Sequence, residues 1–351
     1  NGVFQTGNPR WSAVFSLFMG VMALIAAEFI PVSLLTPIAR DLAVTEGMAG
    51  QTVTAVGVFA VLTSLLLAPL TGNIDRRRIL LAFSAMLAAS YMLIGIAPTY
   101  PIMLIGRAIL GICVGGFWSL ASAVTLQLVP TKDVPRALSI VYAGVSVATI
   151  IALPVASWIG HLIGWRNVFF LGALMAAIGF VWQYRALPSL PARAGSGFRD
   201  MSALLRRTWI LAGIGGNILS FGGYHIFFTY LRPFLELDLA LGADTLSVIL
   251  LVFGVANVLG TFIAGALLGN RFRSTMILVH LAFTAAALAL LLSQGHADIG
   301  VALAVFWGFA FGFTPVGWST WIARTLSDKA ELAGGLTVAA TQFAIGLAAA
   351  V

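Results

Sequence analysis

Apolar stretches about as long as a membrane-crossing helix follow one another along this chain, parted by short polar breaks. Eleven are distinguishable, over residues 11–38, 47–70, 79–97, 102–129, 137–162, 166–187, 209–235, 244–268, 275–293, 298–323 and 332–351. Each is long enough to cross a ~30 Å hydrocarbon core at the rise of an α-helix. A membrane barrel would instead alternate apolar and polar positions in ~10-residue strands, and that alternation does not occur. The pattern predicts an all-α integral membrane protein.

Composition agrees, with 60% hydrophobic and 9% charged residues and a mean hydropathy of +1.02, where a soluble domain carries roughly 25% charged residues. The net charge of +7 raises nucleic-acid binding as a role, and the placement of the basic residues argues against it. With a cytoplasmic N-terminus, the inner breaks collect Arg10, Arg76, Arg77, Arg78, Lys132, Arg136, Arg185, Arg193, Arg199, Arg206, Arg207, Arg271, Arg273, Arg324 and Lys329, fifteen of the nineteen basic residues. The outer breaks hold Arg40 and Arg166, while Arg107 and Arg232 fall inside or at the edge of spans. Such an asymmetry is the positive-inside signature of a multi-pass protein in a lipid bilayer. The first apolar run is too long for a cleaved signal and lacks a small-residue cleavage site, so it is expected to remain as a span. The single cysteine, Cys113, rules out an intrachain disulfide and is expected to be a packing residue.

A polar segment with Pro188, Pro191, Gly195 and Gly197 divides the chain into a six-span bundle over 11–187, a cytoplasmic linker over 188–208 and a second bundle over 209–351. The halves echo each other. Gly116-Phe117-Trp118-Ser119 in span four returns as Val316-Gly317-Trp318-Ser319 in span ten, Arg40-Asp41-Leu42-Ala43 as Leu237-Asp238-Leu239-Ala240, and Gly72-Asn73 before Arg76 as Gly269-Asn270 before Arg273. Matches in the same span order and orientation indicate the parallel repeat of a six-plus-six transporter. The second half has five spans, so the repeat predicts a twelfth helix beyond Val351, and Asn1 in place of a start methionine suggests a fragment.

Candidate chemistry follows from polar residues that hydrocarbon does not tolerate cheaply. Glu28 lies in the outer third of span one, and Arg107 lies six residues beyond Pro101 on the descending span four, about 9 Å below the same surface. The pair reads as an acid that exchanges a proton beside a cation, or as a static buried ion pair. Arg107, Gly111, Gly115, Trp118 and Ser122 share one face of span four. That face is expected to point inward, with the glycines serving helix packing or leaving room for a ligand beneath Trp118. Span ten offers Trp307, Phe311, Thr314, Trp318 and Trp321. Span seven offers Asn217, Ser220, Phe221, Tyr224, His225 and Phe228, with Asn257 on span eight and Thr341 and Gln342 on span eleven. From these, Trp118, Ser122, Asn217, Phe221, Tyr224, His225, Asn257, Phe311, Thr314, Trp318 and Gln342 form the expected substrate site. Rings interleaved with uncharged polar groups suit a neutral, flat, hydrogen-bonding solute, although such groups also serve as bonds between helices. His225 is a second titrating group or a packing histidine. No metal set, phosphate-binding glycine loop or nucleophile triad occurs, so no cofactor and no enzymatic activity are expected, and the driving force falls to an ion gradient.

Arg107-x3-Gly111-x3-Gly115 resembles the span-four motif of the major facilitator superfamily, and Asp75-Arg76-Arg77-Arg78 resembles its charged gating loop between spans two and three. The loop lacks the motif's second glycine, with Gly72 one place off, and span five has Leu153-Pro154 where a Gly-Pro pair is usual. Residues 11–16, 28–37, 115–118, 163–169 and 315–322 are similar to a branch of that superfamily, the bacterial proton antiporters that export purine ribonucleosides. The resemblance implies two six-helix bundles in the bacterial inner membrane, alternating access, protons as coupling ion and inosine- or guanosine-like solutes as cargo. A monomer is expected. A sugar or multidrug exporter of the same fold is the alternative, followed by a transporter-like sensor or a passive channel.

Overall fold

The computed structural model describes residues 9–191, 197–235, 243–292 and 296–348. They form α1 (Trp11–Ser33), α2 (Leu35–Asp41), α3 (Glu46–Thr71), α4 (Arg76–Ile96), α5 (Tyr100–Leu128), α6 (Val134–Ile163), α7 (Trp165–Ala186), α8 (Phe198–Leu205), α9 (Thr208–Pro233), α10 (Ala243–Asn270), α11 (Phe272–Leu292), α12 (Ala297–Phe311), α13 (Phe313–Thr325) and α14 (Ala330–Ala348). Among the described residues, eleven helices are long and apolar enough to cross a membrane, with α12 and α13 counted as one span. Exposed leucines such as Leu219, Leu278 and Leu291 line their outer faces, where acyl chains are as apolar as the side chain.

Local chemistry sets the helix ends. Thr45 caps α3 by accepting the Met48 N–H, and Asp75 caps α4 by accepting the Arg77 N–H. Gly164 turns α6 into α7 at φ 86°, a left-handed conformation open to a residue without Cβ. Two spans expected to be continuous are broken. Span one is interrupted at Leu34, three residues after Pro31, where φ is −116° between α1 and α2. Span ten is interrupted at Gly312, where an added Cβ would lie 2.5 Å from the Asn257 carbonyl oxygen of α10. The linker contains α8, which buries Leu204. The 237–240 repeat segment and Arg193 lie outside the described residues, as do the side chains of Leu153, Pro154 and Arg232.

Tertiary contacts gather the basic breaks at one end. The Arg136 guanidinium covers the Trp11 ring, Arg77 donates to the Tyr184 carbonyl, and Arg324 donates to that of Gly269. At the opposite end, Asp41 pairs with Arg166 and accepts the Trp165 indole N–H.

In the first half, α1 packs on α6 and α7, α3 on α5, and α4 on α5 and α7, while in the second α9 packs on α14 and α10 on α12. The halves meet through α10 on α6, through α14 on α3 and α5, and through α13 on α5 and α6. One hydrophobic core runs through the first six spans and on into Leu268, Val316, Ile322, Leu332 and Leu336 near the basic end of the second half. A separate core, including Tyr224, Leu246, Phe253 and Trp307, fills the other end of that half. The two halves are therefore fused at the basic end and keep distinct cores toward the opposite end.

Candidate functional site

Arg107 is fully buried on α5, and its position is explained by a proline on another helix. Pro31 has no N–H, so the carbonyl four residues back, at Ala27, loses its helical partner. Arg107 fills that vacancy: Nη1 donates to Ala27 O at 2.6 Å, Nη2 to Glu28 O at 3.3 Å, and Nε to Thr52 O at 3.1 Å. One guanidinium thus ties α5 to α1 and α3. The expected meeting of Arg107 with Glu28 takes place on the backbone. The Glu28 side chain is half-buried, lies within the field of that guanidinium, and makes no ion pair among the described residues.

The glycines of the same face do not leave ligand space. A Cβ on Gly111 would lie 2.6 Å from Val56 O, and one on Gly115 2.1 Å from Ala60 O, so both positions are taken up by close approach of α3. Trp118 faces another neighbour. It stacks on Tyr142 of α6 with ring centroids 4.8 Å apart at 14°, and the Tyr142 hydroxyl lies 2.7 Å from Ser319 Oγ on α13. Ser122 donates to the Ser319 carbonyl at 3.3 Å. The Trp318 indole donates to Ser220 Oγ on α9 at 3.3 Å, and its ring meets the edge-on ring of His280 on α11. Trp118 and Ser122 are therefore brought together with Ser319 where α5 and α6 meet α13, whereas Trp318 packs against α9 and α11.

The remaining expected site residues lie in the second half. Phe311 stacks face to face on Tyr224 and meets the edges of Phe221 at 5.6 Å and His225 at 6.3 Å. Asn257 joins the halves, accepting Ser146 Oγ at 2.5 Å while its Nδ2 donates to the Gly308 carbonyl at 3.1 Å. Asn217 accepts Thr341 Oγ1 at 3.0 Å, and among the described residues its buried Nδ2 has no hydrogen-bond partner. The hydroxyl of the fully buried Thr314 likewise has none among the described residues. Gln342 is half-buried on α14.

The charged motif is no free loop: Asp75 is the N-cap of α4, and Arg76, Arg77 and Arg78 form its first turn. Asp75 accepts the N–H of Arg77 at 2.8 Å and of Leu190 at 2.9 Å, together with the Ser189 hydroxyl at 2.5 Å. Burial works against its charge, and these hydrogen bonds outweigh burial, holding the carboxyl below the ordinary carboxylate range. Arg76 is fully buried and grips Glu331 of α14 through two hydrogen bonds, Nε to Oε1 at 2.7 Å and Nη2 to Oε2 at 2.5 Å. This two-pronged pair spans the seam between the halves at the basic end. Arg77 covers the Tyr184 ring at 5.2 Å, and Arg78 is exposed. Sequence reading missed Glu331, Tyr142, Ser146 and Ser319 as site residues. Ser319 stood in the repeat, and Tyr142 and Ser146 share a face of span five, but only tertiary contact shows their partners.

Comparison with known proteins places this arrangement. The family model described as Major Facilitator Superfamily matches residues 15–350. Proteins named purine ribonucleoside efflux pump NepI, from Salmonella paratyphi C and Salmonella typhimurium, are 40% identical to the chain over 343 residues, covering 98% of it and 86% of their own length. Among solved structures, the proton:xylose symporter XylE matches with a TM-score of 0.79 at 15% identity, over 97% of this chain and 87% of its own. The human organic anion transporter MFSD10 matches with a TM-score of 0.75 at 17% identity, over 98% and 93%. Eleven apolar helices meeting across a seam with a buried ion pair at one end thus have a family: the chain belongs to the Major Facilitator Superfamily and is a membrane transporter, not an enzyme.

Proposed function

We propose that the chain exports purine ribonucleosides, inosine- and guanosine-like, in exchange for protons by alternating access. The observation that carries this reading is the Trp118–Tyr142 stack held to Ser319 across the seam, which offers ring faces beside hydroxyls. A purine has matching chemistry, a flat π-face with donors and acceptors on its rim. The near full-length similarity to efflux pumps named for purine ribonucleosides supports the same cargo.

The basic end faces the cytoplasm in this proposal, as the positive-inside rule requires for the inner membrane of a bacterium. The described state is then closed toward the cytoplasm by Arg76 and Glu331 and separated toward the outside. Glu28 lies toward the outer end of α1 and takes a proton from that side. Neutralising the carboxylate removes a charge whose transfer into a closed, low-dielectric seam is costly. The protonated protein then closes outside, opens inside, releases the proton and takes up nucleoside. Fixed carbonyl bonds to α1 and α3 keep the Arg107 charge beside Glu28.

The cargo assignment is tested by binding of labelled inosine to purified protein. Trp118→Ala and Trp318→Ala should each weaken it about 10-fold, the scale of losing one base–aromatic stack. Unchanged affinity in both variants removes the aromatic site. Binding of sugars or lipophilic cations in place of inosine transfers the assignment to those cargoes.

A further inference from the structure

The helix that ends the first half carries a groove on its outer face. Ala177, Ile178, Val181, Trp182 and Arg185 of α7 line a space of about 460 Å³, within the roughly 300–1,000 Å³ typical of small-molecule sites. Spacings of three and four residues set these side chains along one stripe of the helix. The stripe runs about 12 Å from Ala177 and ends at Arg185, in the last turn of α7.

Neighbouring helices fix this wall from behind. The Trp182 indole N–H donates to Ser12 Oγ of α1 at 3.2 Å. Buried Gln183 accepts the Ser84 hydroxyl of α4 at 2.6 Å and donates to the Ser16 carbonyl of α1 at 3.3 Å. With its N–H satisfied, the exposed indole offers the groove an apolar ring.

The lining has two chemistries, and they name the occupant. Ala177, Ile178, Val181 and Trp182 are apolar and exposed on a membrane span, where acyl chains border the protein. Arg185 is an exposed cation at the level where the span ends, and it makes no hydrogen bond or ion pair among the described residues. Arg10, exposed at the N-cap of α1, adds a second positive charge two residues from Ser12. No acid stands on α7 or in the first turn of α1. Asp75, which meets the chain just beyond α7, is occupied by Arg77, Ser189 and Leu190. A hydrocarbon chain therefore matches the wall, and a negative headgroup matches its basic end.

We propose that this groove binds one anionic phospholipid from the leaflet at the basic end. An acyl chain lies along Ala177, Ile178 and Val181, and the headgroup phosphate meets Arg185. Trp182 stands between them, at the interfacial depth that tryptophan favours. The site lies outside the Trp118–Tyr142–Ser319 junction and holds whatever the cargo or coupling ion.

Native mass spectrometry of the full chain released from detergent tests this, with phosphatidylglycerol or phosphatidylcholine of the same acyl chains added as probe. The parent should retain one phosphatidylglycerol in preference to phosphatidylcholine. Arg185→Gln should weaken that retention about 5-fold, the factor that one basic residue contributes at an anionic membrane surface. Ala177→Phe, which fills the groove and leaves the charge unchanged, should weaken it to a similar extent. Arg273→Gln, at the exposed start of α11 in the other half, should leave it intact. Equal retention of the two lipids by the parent overturns the proposal, as does undiminished phosphatidylglycerol in Arg185→Gln or Ala177→Phe. A loss in Arg273→Gln as large as that in Arg185→Gln also overturns it, since diffuse surface charge would then be the cause.

Discussion

Two fully buried arginines carry opposite tasks at opposite depths of this protein. Arg107 binds three backbone carbonyls and holds helices of one half together, whereas Arg76 spends its two prongs on a carboxylate of the other half. Removing one partner of a buried pair leaves an uncompensated charge, so Glu331→Ala should lower unfolding stability by about 3–5 kcal/mol, seen as a reduced thermal midpoint in detergent. Exchanging the charges, Arg76→Glu with Glu331→Arg, should recover part of that loss. A Glu331→Ala variant as stable as the parent contradicts the lock. Glu331 was illegible in the sequence because it follows Asp328 and Lys329 and looks like the end of a solvated break. Arg107 and Glu28 were legible because hydrocarbon makes any charge inside a span conspicuous.

At the scale of the element, the apolar periods located all eleven spans, since a ~30 Å core sets their length whatever packs against them. The breaks in spans one and ten were not legible in the same way. Gly312 is interrupted by the backbone of α10, a neighbour that no local pattern reports. The same limit applies to α14, whose Gly334 and Gly335 let its backbone touch the other half. An added Cβ would lie 2.3 Å from Ser119 O at Gly334 and 2.1 Å from Ser64 O at Gly335, and a backbone oxygen has little room to yield. Gly334→Val should therefore hold the basic end apart. The readout is a Ser64→Cys probe in a chain carrying Cys113→Ser, treated with a membrane-impermeant thiol reagent. Ser64 is 2% exposed, so the probe should resist labelling in the parent and react once Gly334 is valine. A probe that stays protected shows that the halves close despite the added bulk.

For the whole molecule, the distribution of charge and the repeats indicated two halves and one basic face, and the contacts of Arg76, Arg77, Arg136 and Arg324 collect that face at one end. What joins the halves was hidden, because Tyr142 to Ser319, Ser146 to Asn257 and Arg76 to Glu331 are separated by more than a hundred residues and follow no period. In the proposed cycle the molecule is closed at the basic end, separated at the other, and driven by a proton at Glu28. Transport of labelled inosine in reconstituted vesicles, with and without an imposed pH gradient, tests that claim most directly. Wild type should move inosine against the proton flow and stop when the gradient is collapsed, and Glu28→Gln should bind inosine yet show no gradient-driven transport. Inosine flux indifferent to the gradient, or full gradient-driven transport by Glu28→Gln, would contradict it.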